Sequence, residues 1–205
     1  MSNTIPNWGA AIVLLDNEPV DVGETIADHA ANAEWDLTSK RGGMLFLYVG
    51  REATGTVTGL PVRINVRRNA DDGPSVNSSL SRVGGAVSAN ATTINVNSSG
   101  QILQVASVSG FAAGDFIVVG DMAVGTRVEF ARVAKVVAST LVLDDLMKGP
   151  HTSAQADVVT NQADLWQMWV PGGVNVTIQA DYGAGGGPDV VIRAVGQIYT
   201  GETTT

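Results

Sequence analysis

Apolar and polar positions alternate along much of this chain with the period of two that marks half-buried strands. In residues 59–68, Val62, Ile64 and Val66 fall on one side and Arg63, Asn65 and Arg67 on the other. Val174, Val176 and Ile178 repeat the pattern. Residues 11–15, 43–49, 165–170 and 189–199 add apolar runs of strand length. The first of these ends in Asp16-Asn17-Glu18-Pro19, a cluster of turn-forming residues. The one stretch with helical character is residues 24–34. It is short and acidic, Ile26, Ala30 and Ala33 are only weakly periodic, and it reads equally as a loop.

Residues 88–160 have a denser texture. Strand signals recur at residues 92–96, 115–120, 127–137, 140–145 and 156–160 with turns between them, the spacing of a small barrel or compact sandwich. Within residues 127–137 the apolar set slips register after Phe130, as at a bulge or sharp bend. Breaker-rich stretches at residues 71–79 and 84–90, and a return near Asn161 and Gln162, suggest an insertion. The expected fold is all-β. Residues 1–87 and 161–205 form a β-sandwich, jelly-roll or immunoglobulin-like, and residues 88–160 form an inserted small β-barrel-like domain.

Composition narrows the function. Only 16% of residues are charged and the formal net charge is −8, which argues against a nucleic-acid binder. There is no cysteine and there are two histidines, His29 and His151, so thiolate chemistry and His-cluster metal sites have little material. No apolar run approaches a membrane span of roughly 20 residues, and the N-terminus carries no secretory signal pattern. The charge is segregated. Residues 1–39 hold seven acids and no Lys or Arg, and residues 40–88 hold seven basic residues against three acids. The two blocks either pair within one fold or face different subunits.

The candidates for chemistry are weak. In residues 183–188 Pro188 stands where the dinucleotide fingerprint needs its third glycine, and a strand pattern follows instead of a helix. The carboxylates of Asp71 and Asp72 lack the ligand spacing of a calcium loop and read as turn chemistry. Asp144 and Asp145, or Asp16 and Glu18, are carboxylate pairs of the kind glycosidases use, but aromatics to line a sugar cleft total 5%. No Gly-x-Ser-x-Gly elbow accompanies the two histidines. The sequence therefore points away from an enzyme, with no catalytic residue, metal or cofactor expected. Trp166 and Trp169, three apart, must face opposite sides of a strand. Trp8, Arg63, Arg67, Trp166 and Trp169 are the candidate interface residues, because Trp and Arg anchor interfaces well.

One stretch carries a resemblance. Thr93-Ile-Asn-Val, the run Val105-Ala-Ser-Val-Ser-Gly-Phe-Ala-Ala-Gly-Asp-Phe-Ile-Val-Val-Gly and the hairpin from Arg132 to Asp145 resemble a small β module of tailed-bacteriophage structural proteins. The Gly-rich, Cys-free, Lys-poor chain as a whole is similar to phage capsid cement (decoration) proteins. That resemblance implies a virion structural protein on the outer surface of the capsid, made in the host cytoplasm. It would be a homotrimer that contacts the major capsid protein and bridges neighbouring subunits, with no membrane or nucleic-acid partner. A tail, baseplate or host-surface-binding virion protein is the alternative.

Overall fold

The computed structural model describes residues 4–20, 25–26, 35–51, 55–57, 62–68, 78–80, 87–122, 125, 127–155, 157–182 and 190–204. Among them the strands run in the order β1 (Thr4–Val20), β2 (Thr25–Ile26), β3 (Trp35–Asp36), β4 (Gly42–Arg51), β5 (Gly55–Val57), β6 (Val62–Arg68), β7 (Ser78–Leu80), β8 (Val87–Ala89) and β9 (Ala91–Thr93). They continue with β10 (Ser98–Gln104), β11 (Phe116–Gly120), β12 (Glu129–Val137), β13 (Thr140–His151), β14 (Val158–Thr160), β15 (Ala163–Pro171), β16 (Asn175–Tyr182) and β17 (Val190–Thr204). One 3₁₀ turn, Ser153–Gln155, interrupts them, and no α-helix occurs among the described residues. The chain is all-β. Thr25–Ile26 pairs with β16 as strand, and the rest of the helix-or-loop stretch lies outside the described residues.

Two sheets face each other across the larger core. One has the order β1-β17-β4-β15, and the other the order β2-β16-β6-β7 with β3 also on β16. Leu45, Leu47 and Val49 of β4, Val190, Ile192 and Ala194 of β17, and Val176 and Ile178 of β16 alternate into that core around Trp35 and Leu37. Trp35 lies flat against bare backbone. A Cβ on Gly43 would sit 2.5 Å from its ring and one on Gly196 2.7 Å, so both strands must carry glycine there.

The strands from residues 91 to 160 pair with one another in the order β10-β13-β12-β11-β14-β9. The ends of this sheet meet: Ile94 bridges Val105, Asn95 donates to the Gln104 carbonyl and Ala106 to that of Thr93. The sheet thus curls into a half-barrel around Leu103, Phe111, Ile117, Val119, Val133, Leu141 and Leu143. The Gly-Phe-Ala-Ala-Gly-Asp turn works as one piece. Phe111 plugs this core, Asp115 Oδ2 accepts from the Ala112 amide at 2.8 Å, and Gly110 and Gly114 take positive φ.

Two expectations from the pattern need correction. Asp16-Asn17-Glu18-Pro19 is not a turn, because β1 runs straight through it. Asn17 adopts φ 56° and the pairing with β17 shifts between Leu15 and Glu18, so the polar cluster builds a bulge. The change of apolar face in β12 is not itself a bulge either. Val128 and Phe130 face one side and Ala131 and Val133 the other, and both sides are covered. The real irregularity comes later, between Val133 and Lys135.

What covers the second side is the sandwich. Val118, Met122 and Val128 pack on Ala163 and Val191, with Phe116 and Phe130 beside them. Tyr48 lies tilted against both phenylalanines, with ring centroids 6.1 and 5.4 Å away. At Gly50 a Cβ would lie 2.8 Å from Val118. Gly50→Leu is therefore expected to lower unfolding stability by about 1–3 kcal/mol through overpacking, read in urea titrations. Wild-type stability for that variant would show that the seam is not packed.

Candidate functional site

The outer face of the β1-β17-β4-β15 sheet has two ends with different occupants. Along β17 the side chains of Val191, Arg193, Gln197 and Tyr199 share this face, since residues two apart point the same way. The half-barrel sits over Val191. Tyr199 lies eight residues further along, roughly 26 Å away at the rise of an extended strand.

At that far end three rings converge. Trp8 stands opposite Tyr199 in the β1–β17 ladder, with centroids 5.6 Å apart at 66°. Trp169 reaches Tyr199 at 5.9 Å and Trp8 at 6.4 Å, again edge to face. Between them β4 contributes Gly42, where any Cβ would strike Trp169 at 2.6 Å. Trp8 is 38% exposed and Trp169 49%. The steep angles make this an edge-to-face cluster and not a flat stacked platform. Beside it runs a groove of about 560 Å³ lined by Gly9, Ala10, Ile12, Lys40, Arg41 and Tyr199, among others. The turn that carries Lys40 is held by Asp36. The Thr38 hydroxyl and amide both donate to its carboxylate, which keeps that carboxyl below the usual range.

The pairing of β17 with β4 ends at Ile198. Beyond it, Thr4–Trp8 and Tyr199–Thr204 continue as a two-stranded ribbon. An isolated ribbon of this kind is marginal in water.

The second site is the seam between the half-barrel and the sandwich, a cleft of about 440 Å³. Its floor is a polar chain. His151 Nδ1 lies 3.0 Å from Asp157 Oδ2, and its Nε2 lies 3.3 Å from Glu129 Oε1. Arg127 Nη2 donates to Asp157 Oδ1 at 3.1 Å. Glu129 also accepts from the amides of Lys148 and Gly149, at 2.7 and 2.9 Å. From the sandwich side Asn17 Nδ2 donates to the Val128 carbonyl at 2.8 Å, and Arg193 and Asp16 complete the wall. No group of three or more His, Asp or Glu side chains among the described residues could hold a metal ion.

Of the residues singled out from sequence, Trp8 and Trp169 come together. Trp166 does not join them. It faces the opposite side of β15 and packs on the sandwich core. Arg63 and Arg67 lie on β6, and their side chains are outside the described residues. Asp144 and Asp145 are exposed neighbours on β13 and line neither cleft. His29, the Asp71 and Asp72 pair and residues 183–188 lie outside the described residues. Sequence reasoning missed Tyr199, whose only signal was its even spacing from Gln197 on the β17 pattern. It also missed the Arg127, Glu129 and Asp157 partners of His151.

The geometry defines an all-β protein, a sandwich carrying a curled half-barrel, with an exposed aromatic cluster at one end of a sheet face and a polar seam at the other. Comparison with known proteins finds no family model that matches the chain, and no similar curated protein or solved structure.

Proposed function

We propose that this chain is a virion structural protein of the capsid cement type, which stabilises a phage head by binding and bridging neighbouring capsid subunits. The observation that carries the reading is the cluster of exposed Trp8 and Trp169 with half-buried Tyr199 at the root of a two-stranded ribbon. Large rings left in water on a sheet face, with basic Lys40 and Arg41 beside them, suit a docked protein surface. The module resemblance supplies the setting, the outside of a capsid, and the work is done by binding energy alone. The proposal includes a homotrimer, so light scattering should give a mass well above 21.2 kDa.

The test uses expanded heads of the virus that encodes the chain. Wild-type protein should bind them and suppress loss of DNA on heating. Trp169→Ala and Trp8→Ala should each weaken binding by roughly 30-fold, the loss of about 2 kcal/mol typical of a central aromatic anchor. Both side chains are largely outside the core, so the melting temperature of the free protein should stay within a few degrees of wild type. Equal heat resistance of heads without the protein, or binding to tail tube or host glycan instead, would overturn the capsid reading.

A further inference from the structure

The seam cleft collects three of the twelve basic side chains of a chain that is acidic overall. Arg127, Lys148 and Arg193 line it against two carboxylates, Asp16 and Glu129. Glu129 is already engaged by two backbone amides and the His151 ring. Asp16 is largely exposed, and its Oδ1 stands 4.0 Å from Arg193 Nε, beyond hydrogen-bond distance. Asp157, buried behind the cleft, takes one Nη of Arg127. The Nε atoms of Arg127 and Arg193 are both sealed from solvent with no hydrogen-bond partner, and so is Asn17 Oδ1. Buried donors left in this state destabilise the fold, and the two arginines that carry them line one cavity from opposite sides, where their Nη groups are the atoms a ligand can reach. Arg193 belongs to β17 of the sandwich, and Arg127 to the entry of β12 in the half-barrel.

We propose that this cleft is a binding site for a compact oxyanion, a carboxylate or phosphate group held between Arg193 and Arg127, which staples the half-barrel to the sandwich. The guanidinium fork offers paired N–H donors matched to such groups. A cavity of about 440 Å³ has the size of a small-ligand site. The anion displaces only Asp16, which is mostly in water and held loosely. The site does not depend on the capsid reading, because it lies at the other end of the sheet face from the aromatic trio.

Titration calorimetry and thermal melts with inorganic phosphate and with citrate, against sodium chloride at matched ionic strength, test the proposal. Wild-type protein should bind at least one of the two anions saturably, and its melting temperature should rise with anion concentration as for a ligand of the folded state. Tighter binding of phosphate assigns a tetrahedral group, and tighter binding of citrate assigns carboxylates. Arg193→Gln should weaken binding by at least about tenfold, and Arg193→Lys, which keeps the charge but loses the fork, by a similar factor. Arg132→Gln, on an exposed position of β12 outside the cleft, should bind as wild type does. The proposal is overturned if neither anion gives a binding isotherm with wild-type protein, or if both Arg193 variants bind as tightly as wild type.

Discussion

Asp157→Ala is expected to lower the stability of the folded chain by about 3–5 kcal/mol, the range seen when one member of a buried ionic cluster is removed. Asp157 is fully buried, and its carboxylate meets Arg127 through one oxygen and His151 through the other. Truncation leaves a fully buried imidazole facing a void and removes the carboxylate partner of a guanidinium that is partly in water. The site is also a closure point. The Asp157 carbonyl accepts from the Ile94 amide, tying the last turn of the half-barrel to its first strand. Asp157→Asn keeps an acceptor and the volume, so it should lose clearly less. In a chain of this size the Ala variant should melt on the order of 10 °C lower. Urea unfolding of both variants checks the result, and equal stability of Asp157→Ala and wild type would show that the cluster contributes nothing to folding.

The other large effect belongs to the sandwich core. Trp35→Ala should cost about 3–5 kcal/mol, the range for emptying a buried aromatic site. Trp35 sits on the short strand β3, yet its indole spans to the opposite sheet and rests on Gly43 of β4 and Gly196 of β17. Its Nε1 has no hydrogen-bond partner among the described residues, so the ring stabilises by packing and not by its polar end. Trp35→Phe, which discards that N–H and keeps much of the apolar volume, should lose less than Ala. The complementary change, Gly196→Ala, places a methyl 2.7 Å from the ring and should also destabilise. Combined with Trp35→Phe, the Gly196→Ala penalty should shrink, because the two changes share one space. Strict additivity of the two in urea unfolding would show that the contact does not exist.

How much of this was readable in advance depended on the range of the interaction. The opposite facing of Trp166 and Trp169 follows from the period of a strand and needs no fold: one packs on the core and the other is exposed. The strand at residues 174–178 was legible because alternation records its one covered face, and the strand at residues 43–49 because an unbroken apolar run of that length reads as a strand. The pattern misled where a strand has two covered faces. In β11, Ile117 and Val119 enter the half-barrel while Phe116 and Val118 enter the seam, so the run is apolar throughout and says nothing about which side is which. It misled again at Asn17, where turn-forming residues serve a bulge inside a long strand, because the pairing to β17 resumes at Glu18 and carries β1 onward.

The candidate sites show the same division. By itself the sequence determined the all-β class, the positions of most strands and that the two Trp of β15 face opposite sides, since period and turn chemistry are properties of a few neighbouring residues. Only the tertiary structure decided that Trp8, Trp169 and Tyr199 share one patch, which required β1 to pair with β17 and Gly42 to leave room between the rings. It likewise decided that His151 meets Glu129 and Asp157 on a floor facing Arg193. Apart from Asp157, six residues from His151, those partners come together through strand pairing and sheet packing between separate strands, and no local spacing records which strand will lie alongside.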